Sequence, residues 1–225
     1  PWLPARWGCV LARLKELVGE NAIGNVFLVR HAVCSFATRS DWQTERRYGG
    51  GYLLNWGPHI VDPPIVLMGA RVESVYGRMK QTVNPGDAED VFLALMNLVN
   101  GAVAQVEYTV AAEDLPHWFI QGDRGTIVVR GREITIHKKT PLRPADPTDF
   151  ATMKPAEGDE PAESETLRET VEGAVYGDEN AIYAEVAQAI RGEKEFPVRP
   201  EHALELTRVL DAIRLAGQEN RVVVL

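Results

Sequence analysis

The run EDVFLALMNLVNGAVAQVEYTVA, Glu89 to Ala111, sets the class of the protein. Its second half alternates cleanly: Ala104, Val106, Tyr108 and Val110 face one way, and Gln105, Glu107 and Thr109 the other. That is the period of a strand with one buried face. Its first half is apolar on both faces, and Asn100-Gly101 between them suits a type I′ hairpin turn. One face of the first strand should meet helices, and the other needs a cover. On the C-terminal side, HWFIQGD (117–123), GTIVVRG (125–131) and REITIHK (132–138) continue with short turns, so these strands are antiparallel. On the N-terminal side RVESVYGRMK (71–80) reads as another strand. VFLVRHAVC (26–34), β-branched and partly apolar on both faces, reads as an inner one.

Helices flank this run. Residues 5–19 carry Val10, Leu14 and Leu17 at helical spacing and stop at Gly19. A second helix is expected from about Gly51 to Met68, bent or interrupted because Pro58, Pro63 and Pro64 lie in it. A third, about 178–191, places Ile182, Val186, Ala189 and Ile190 on one stripe. A fourth begins at Pro200 with Leu206, Val209, Leu210 and Ile213 inward, and RVVVL closes the chain as an edge strand. Residues 138–165 hold five prolines and read as a long loop, either a lid or an insertion. The expectation is one α+β domain over residues 1–225, a large, mostly antiparallel open sheet with helices on one face.

Composition narrows the function. Of 225 residues, 45% are hydrophobic and 25% charged, with a net charge of -8, the profile of an ordinary globular domain and a poor match to a phosphate backbone. Nucleic acid is therefore not an expected partner. No apolar run approaches the roughly 20 residues that span a bilayer, and nothing reads as a signal peptide. Cys9 and Cys34 make no CxxC pair and no metal-ligand spacing, and they suit a reducing, cytoplasmic setting. There is no GxGxxG, P-loop or GxSxG motif. The chain opens on Pro1 rather than Met, which suggests part of something longer.

The segment GGGYLLNWGPHIVD (49–62) carries Asn55, His59 and Asp62 at spacings of four and three, one face of a helix. A histidine is the side chain most easily poised to accept a proton near neutral pH. Asn55 would hold a substrate hydroxyl or orient the ring, and Asp62 would also be placed to orient it. Asn, His and Asp make a poor metal set, so no metal is expected. The competing reading is a cluster of ordinary packing polars, and the residues alone leave both open. Trp42 and Arg30 are weaker candidates for the pocket wall; Trp42 serves equally as a core anchor. Arg30 and His31 point to opposite faces of their strand, so at most one of them reaches a pocket.

The same segment resembles the GG-(x)n-D/N-x-G-x-H-x-x-D pattern of the glucose–fructose oxidoreductase, inositol dehydrogenase and MocA-like family. LKELVGENAIGNVFLVR, SDWQTE, NLVNGAVAQVEYT, GDRGTIVV and the closing ENAIYAEV…RVVVL are similar to that family's elements in the same order, over nearly the whole chain. The resemblance implies the C-terminal, substrate-binding and oligomerisation domain of a two-domain oxidoreductase. A nucleotide-binding domain would precede Pro1 and hold NAD or NADP, so no cofactor is expected on this chain alone. It implies a sugar, inositol or similar polyol as substrate and His59 as the base that takes the hydroxyl proton as hydride leaves. Asn55 stands where the family carries aspartate. An amide cannot raise the pKa of a neighbouring imidazole by charge, so His59 should be a weaker base than in aspartate-bearing relatives. A homodimer or higher oligomer through the open sheet face is expected. The alternative is a non-catalytic ligand-binding or dimerisation module.

Overall fold

The computed structural model describes residues 2–140 and 163–225. Most of the proline-rich stretch, 141–162, lies outside the described residues; its outermost residues belong to flanking strands. The strands are β1 (Val26–Cys34), β2 (Val72–Lys80), β3 (Val91–Leu98), β4 (Val103–Thr109), β5 (Trp118–Gly122), β6 (Gly125–Arg130), β7 (Glu133–Lys139), β8 (Ser164–Thr170) and β9 (Val223–Val224). They form a nine-stranded sheet in the order β8-β7-β6-β5-β1-β4-β3-β2-β9. The helices are α1 (Cys9–Gly19), the single turn α2 (Tyr52–Asn55), α3 (Gly57–Met68), α4 (Glu179–Ile190) and α5 (Pro200–Glu219). The architecture is α+β, as the strand pattern implies.

The sheet is two antiparallel halves joined along β1. That strand pairs antiparallel with β5 and parallel with β4, the one parallel seam among the described strands. A parallel partner needs a crossover. Here the crossover includes α2, α3 and the β2–β3 hairpin, and it lays α3 over the seam. α1 packs its buried Val10, Leu11, Leu14 and Leu17 with Ile120, Ile127 and other residues of the β5–β7 half. α5 covers β2, joining Val209 and Ile213 to Phe92 and Val106. α3 gives Ile60 and Val61 to the second cluster and Leu67 to the first, so it binds the halves together.

Several elements differ from the sequence reading. The turn after β3 is not type I′, which would need positive φ at both central residues. Only Gly101 has positive φ (85°); Leu98 N–H bonds Ala102 O, and Gly101 N–H bonds Leu98 O at 2.9 Å. This is the three-residue loop, a type I turn closed by a left-handed glycine. β8 is missing from the sequence reading because SETLRET is mostly polar and mostly exposed, an edge strand with little apolar signal. On α4 Ile182 is buried, Val186 and Ala189 are half-buried, and Ile190 is 82% exposed, so the far end of the stripe lies open. The first helix is also shorter. A 3-10 turn at Pro4–Trp7 ends at Gly8, where the backbone is extended, before α1 begins.

Gly8 marks a close approach. A Cβ there would lie 1.9 Å from the backbone oxygen of Val175, and Cys9 N–H bonds Ala174 O at 3.0 Å. Segment 173–177, with Tyr176 in it, is thereby held against the start of α1. Gly8→Ala must push one backbone off the other. We expect a loss of about 1–3 kcal/mol in urea unfolding; an unchanged midpoint would show that the approach is not constrained.

Candidate functional site

The expected helix over 51–68 is broken at Trp56, just ahead of Pro58, leaving α2 and α3 in succession. Pro63 and Pro64 stay inside α3 and remove two N–H donors from its hydrogen-bond ladder. One orphaned acceptor is the carbonyl of Ile60, four residues before Pro64. His31, buried on β1, meets it: its Nδ1 lies 2.9 Å from Ile60 O. A carbonyl only accepts, so Nδ1 carries the proton. The ring stacks on Trp118 at 4.0 Å between centroids. Burial holds its pKa down to about 4, against the help of the Ile60 carbonyl, so this imidazole is neutral in the folded protein.

The next residue back, His59, faces a pocket of about 270 Å³. Asn55, Trp56 and His59 form its helical wall; Trp2, Pro4, Arg39 and Tyr176 complete it. The ring centroids of His59 and Trp56 lie 5.9 Å apart, and those of His59 and Tyr176 6.3 Å, both pairs near perpendicular. Trp56 stacks in turn on Tyr108, a residue of the buried core. Burial lowers the His59 pKa, opposed weakly by the charge of Asp62. Its Nδ1 is buried with no hydrogen-bond partner among the described residues. Asn55 donates Nδ2–H to Gln43 Oε1. Arg39 is fixed through its backbone N–H to Asn84 Oδ1 (2.8 Å) and through its guanidinium to Asp41.

The structure brings Asn55 and His59 together but places the other candidates elsewhere. Asp62 makes no hydrogen bond to His59. It forms a bidentate pair with Arg6, Nε–Oδ2 2.9 Å and Nη2–Oδ1 2.7 Å, and Arg6 Nη1 reaches His202 Nδ1 at 2.9 Å. With both groups nearly sealed from solvent, the carboxylate needs that cation more than it needs an imidazole. Arg30 lies on the sheet face away from the helices, paired with Glu107 at 2.9 Å. Trp42 is 54% exposed on a 3-10 turn and does not line the pocket. Arg39, Trp56 and Tyr176 are pocket residues that sequence reasoning missed. Trp56 lies between Asn55 and His59, but nothing in its local pattern separates a pocket wall from a core aromatic. Tyr176 comes from a distant segment that no local pattern connects to His59.

His31 makes the fold sensitive to acid. Its depressed pKa means the unfolded chain takes up the proton first, near 6.5. Its contribution is complete above that pH, falls as pH drops toward about 4, and is fully lost below. The span corresponds to roughly 3 kcal/mol. His31→Asn, whose amide can still donate to Ile60 O, should flatten the pH dependence of urea stability between those limits. An equal slope in the variant would remove His31 as its source.

The C-terminal alpha/beta domain of an oxidoreductase family, that of glucose–fructose oxidoreductase, inositol dehydrogenase and MocA, matches residues 15–225. The chain is 23% identical over 215 residues to the oxidoreductase YdgJ of Escherichia coli (strain K12), covering 92% of this chain and 60% of that protein. It is 22% identical over 234 residues to scyllo-inositol 2-dehydrogenase (NADP(+)) IolW of Bacillus subtilis (strain 168), covering 98% and 62%. The chain thus spans about three fifths of the length of these curated relatives. An NAD-binding protein from Listeria innocua has the same fold, with a TM-score of 0.77 at 23% identity over 98% of this chain and 65% of that one. With a match across nearly all of its length, the chain belongs to this oxidoreductase family and corresponds to its C-terminal alpha/beta domain.

Proposed function

We propose that this chain forms the substrate wall of an NAD- or NADP-dependent oxidoreductase acting on a hydroxyl of a sugar, inositol or similar polyol. His59 is the general base. The observation that carries this reading is the position of its ring: half-buried, held between Trp56 and Tyr176, and facing an open pocket with Asn55 beside it. Burial keeps the imidazole neutral near pH 7, the state that accepts a proton. Asn55 offers an amide to a substrate hydroxyl, and the guanidinium of Arg39, already balanced by Asp41, offers hydrogen bonds rather than net charge. The aromatic walls supply flat apolar surface for a ring.

The residues present fit one half of such a site. No described turn carries the glycine pattern that seats a pyrophosphate at a helix start. The nicotinamide, which would accept the hydride, is assigned to a nucleotide-binding domain of the parent protein that roofs the pocket. The exposed Trp2–Tyr183 stack at the pocket's edge, 5.4 Å between centroids, gives that roof an apolar seat. The names of two relatives, one an NADP(+)-dependent dehydrogenase and one NAD-binding, support the cofactor class. The free thiols of Cys9 and Cys34 support a reducing, cytoplasmic setting.

In the full-length enzyme His59→Ala should lower kcat by about 10²- to 10⁴-fold. Asn55→Asp should move the acid limb of the pH–rate profile upward, because a carboxylate raises the pKa of a nearby imidazole. Undiminished turnover in the His59 variant would leave only the non-catalytic reading.

That second reading has its own support, and both readings include assembly. On the sheet face away from the helices, Leu93 and Leu95 of β3 are exposed, Leu95 to 42%. Tyr76, Gln105 and the Arg30–Glu107 pair flank them. We propose that a second copy of the chain covers this face through a two-fold contact. Leu95→Glu should shift the mass measured by light scattering from dimer or larger to monomer. A wild-type chain that stays monomeric at high concentration would rule the contact out.

A further inference from the structure

His59 divides two spaces. One side of its ring lines the open pocket, and the other lines a smaller, partly open cavity of about 60 Å³. Three imidazoles meet at that cavity, those of His31, His59 and His117, with Tyr176, Trp118 and Leu11 around them. Nδ1 of His59 is buried without a hydrogen-bond partner among the described residues. An uncompensated polar atom of this kind needs an explanation in a well-packed core.

The other two rings have committed their Nδ1 atoms. His31 Nδ1–H donates to Ile60 O at 2.9 Å, and His117 Nδ1 accepts from Gly131 N–H at 3.1 Å. Each bond selects a tautomer. His31 keeps an acceptor at Nε2, and His117 keeps a donor there. An acceptor, a donor and an unpartnered nitrogen around one small space are the hydrogen-bonding complement of water. A water molecule takes about 30 Å³ of liquid and needs two to four polar partners, so the cavity has room for one or two.

We propose that this cavity is an ordered-water site, and that His31 and His117 act through it as positioning residues that hold His59 in its Nδ1–H tautomer. The water accepts from His117 Nε2–H and His59 Nδ1–H and donates to His31 Nε2. The lone pair of His59 Nε2 is then turned toward the open pocket, where a base needs it. Water performs the orienting task that the spacing of Asp62 suggested and that Asp62, bound to Arg6, does not perform. The inference rests on the base reading of His59 and deepens it.

The test uses this chain alone, labelled with ¹⁵N in its imidazoles, at a pH where His59 is neutral. The wild-type ring should show a protonated Nδ1, a bare Nε2 and a magnetisation-transfer cross-peak to water. His117→Leu removes the donor and should shift the tautomer ratio toward Nε2–H by about five-fold, the ratio that one net hydrogen bond sustains. His117→Gln restores a donor and should return the ratio toward wild type. A wild-type Nε2–H tautomer, a dry cavity, an unmoved ratio in the leucine variant, or a glutamine variant that behaves like leucine each overturns the proposal. If His117→Leu does not fold, the wild-type cross-peak and the glutamine variant decide. None of these readouts depends on turnover, so they fail independently of the rate loss expected for His59→Ala.

Discussion

A single hydrogen bond, from His31 Nδ1–H to the carbonyl of Ile60, makes the rest of the site possible. Consecutive prolines inside a helix are ordinarily excluded because they strip donors from the ladder. Here Pro64 strips the donor from Ile60, and the strand beneath supplies another. The bond thus ties α3 to β1 at the turn that carries His59. A buried imidazole is well suited to this task. It donates one hydrogen bond without bringing a charge into the core, and its flat ring stacks on Trp118. The cost appears only under acid, when the unfolded chain gains the proton that the folded one refuses.

The position of α3 follows from the sheet. β1 is the strand on which two antiparallel halves meet, parallel to β4 on one side and antiparallel to β5 on the other. A parallel pair forces the chain to cross over, and the crossover covers the seam with a helix. That helix is apolar on most of its surface because it closes both clusters of the core; His59 in its first turn, with Asn55 and Trp56 just before it, lines the pocket. The pocket therefore sits where the crossover begins, above the seam. Its other walls come from segments that the fold brings in from far along the chain, residues 39 and 176.

Legibility in the sequence followed the range of the interaction. Alternation in β4, the helical stripe of α1 and the inward positions of α5 were readable because neighbours on one element share a buried face. The parallel β1–β4 seam was not, since nothing local in VFLVRHAVC distinguishes a strand that joins two halves from one inside a single meander. β8 was hidden because its pairing is made by the backbone while its side chains remain polar. The exposure of Ile190 at the end of α4 was not legible, because a regular apolar stripe says that a face wants cover, not that the same chain provides it. In the site, Asn55 and His59 were legible as a pair, and Arg39 and Tyr176 were not, because each depends on a contact across more than ten residues.

Asp62 shows why helical spacing is a weaker argument than it looks. Positions 55, 59 and 62 share a stripe only on an unbroken helix, and this one is interrupted at Trp56. Even within α3, a residue one turn deeper points toward whatever the core offers. It meets Arg6, a planar cation able to satisfy both carboxylate oxygens at once. In a dry environment a carboxylate follows the best cation within reach, since a single bond to a neutral imidazole would leave most of its charge uncompensated. The histidine is then left to find another partner for its inner nitrogen. The Nδ1 atoms of His31 and His117 are committed to Ile60 and Gly131, and water is the partner proposed for that inner nitrogen.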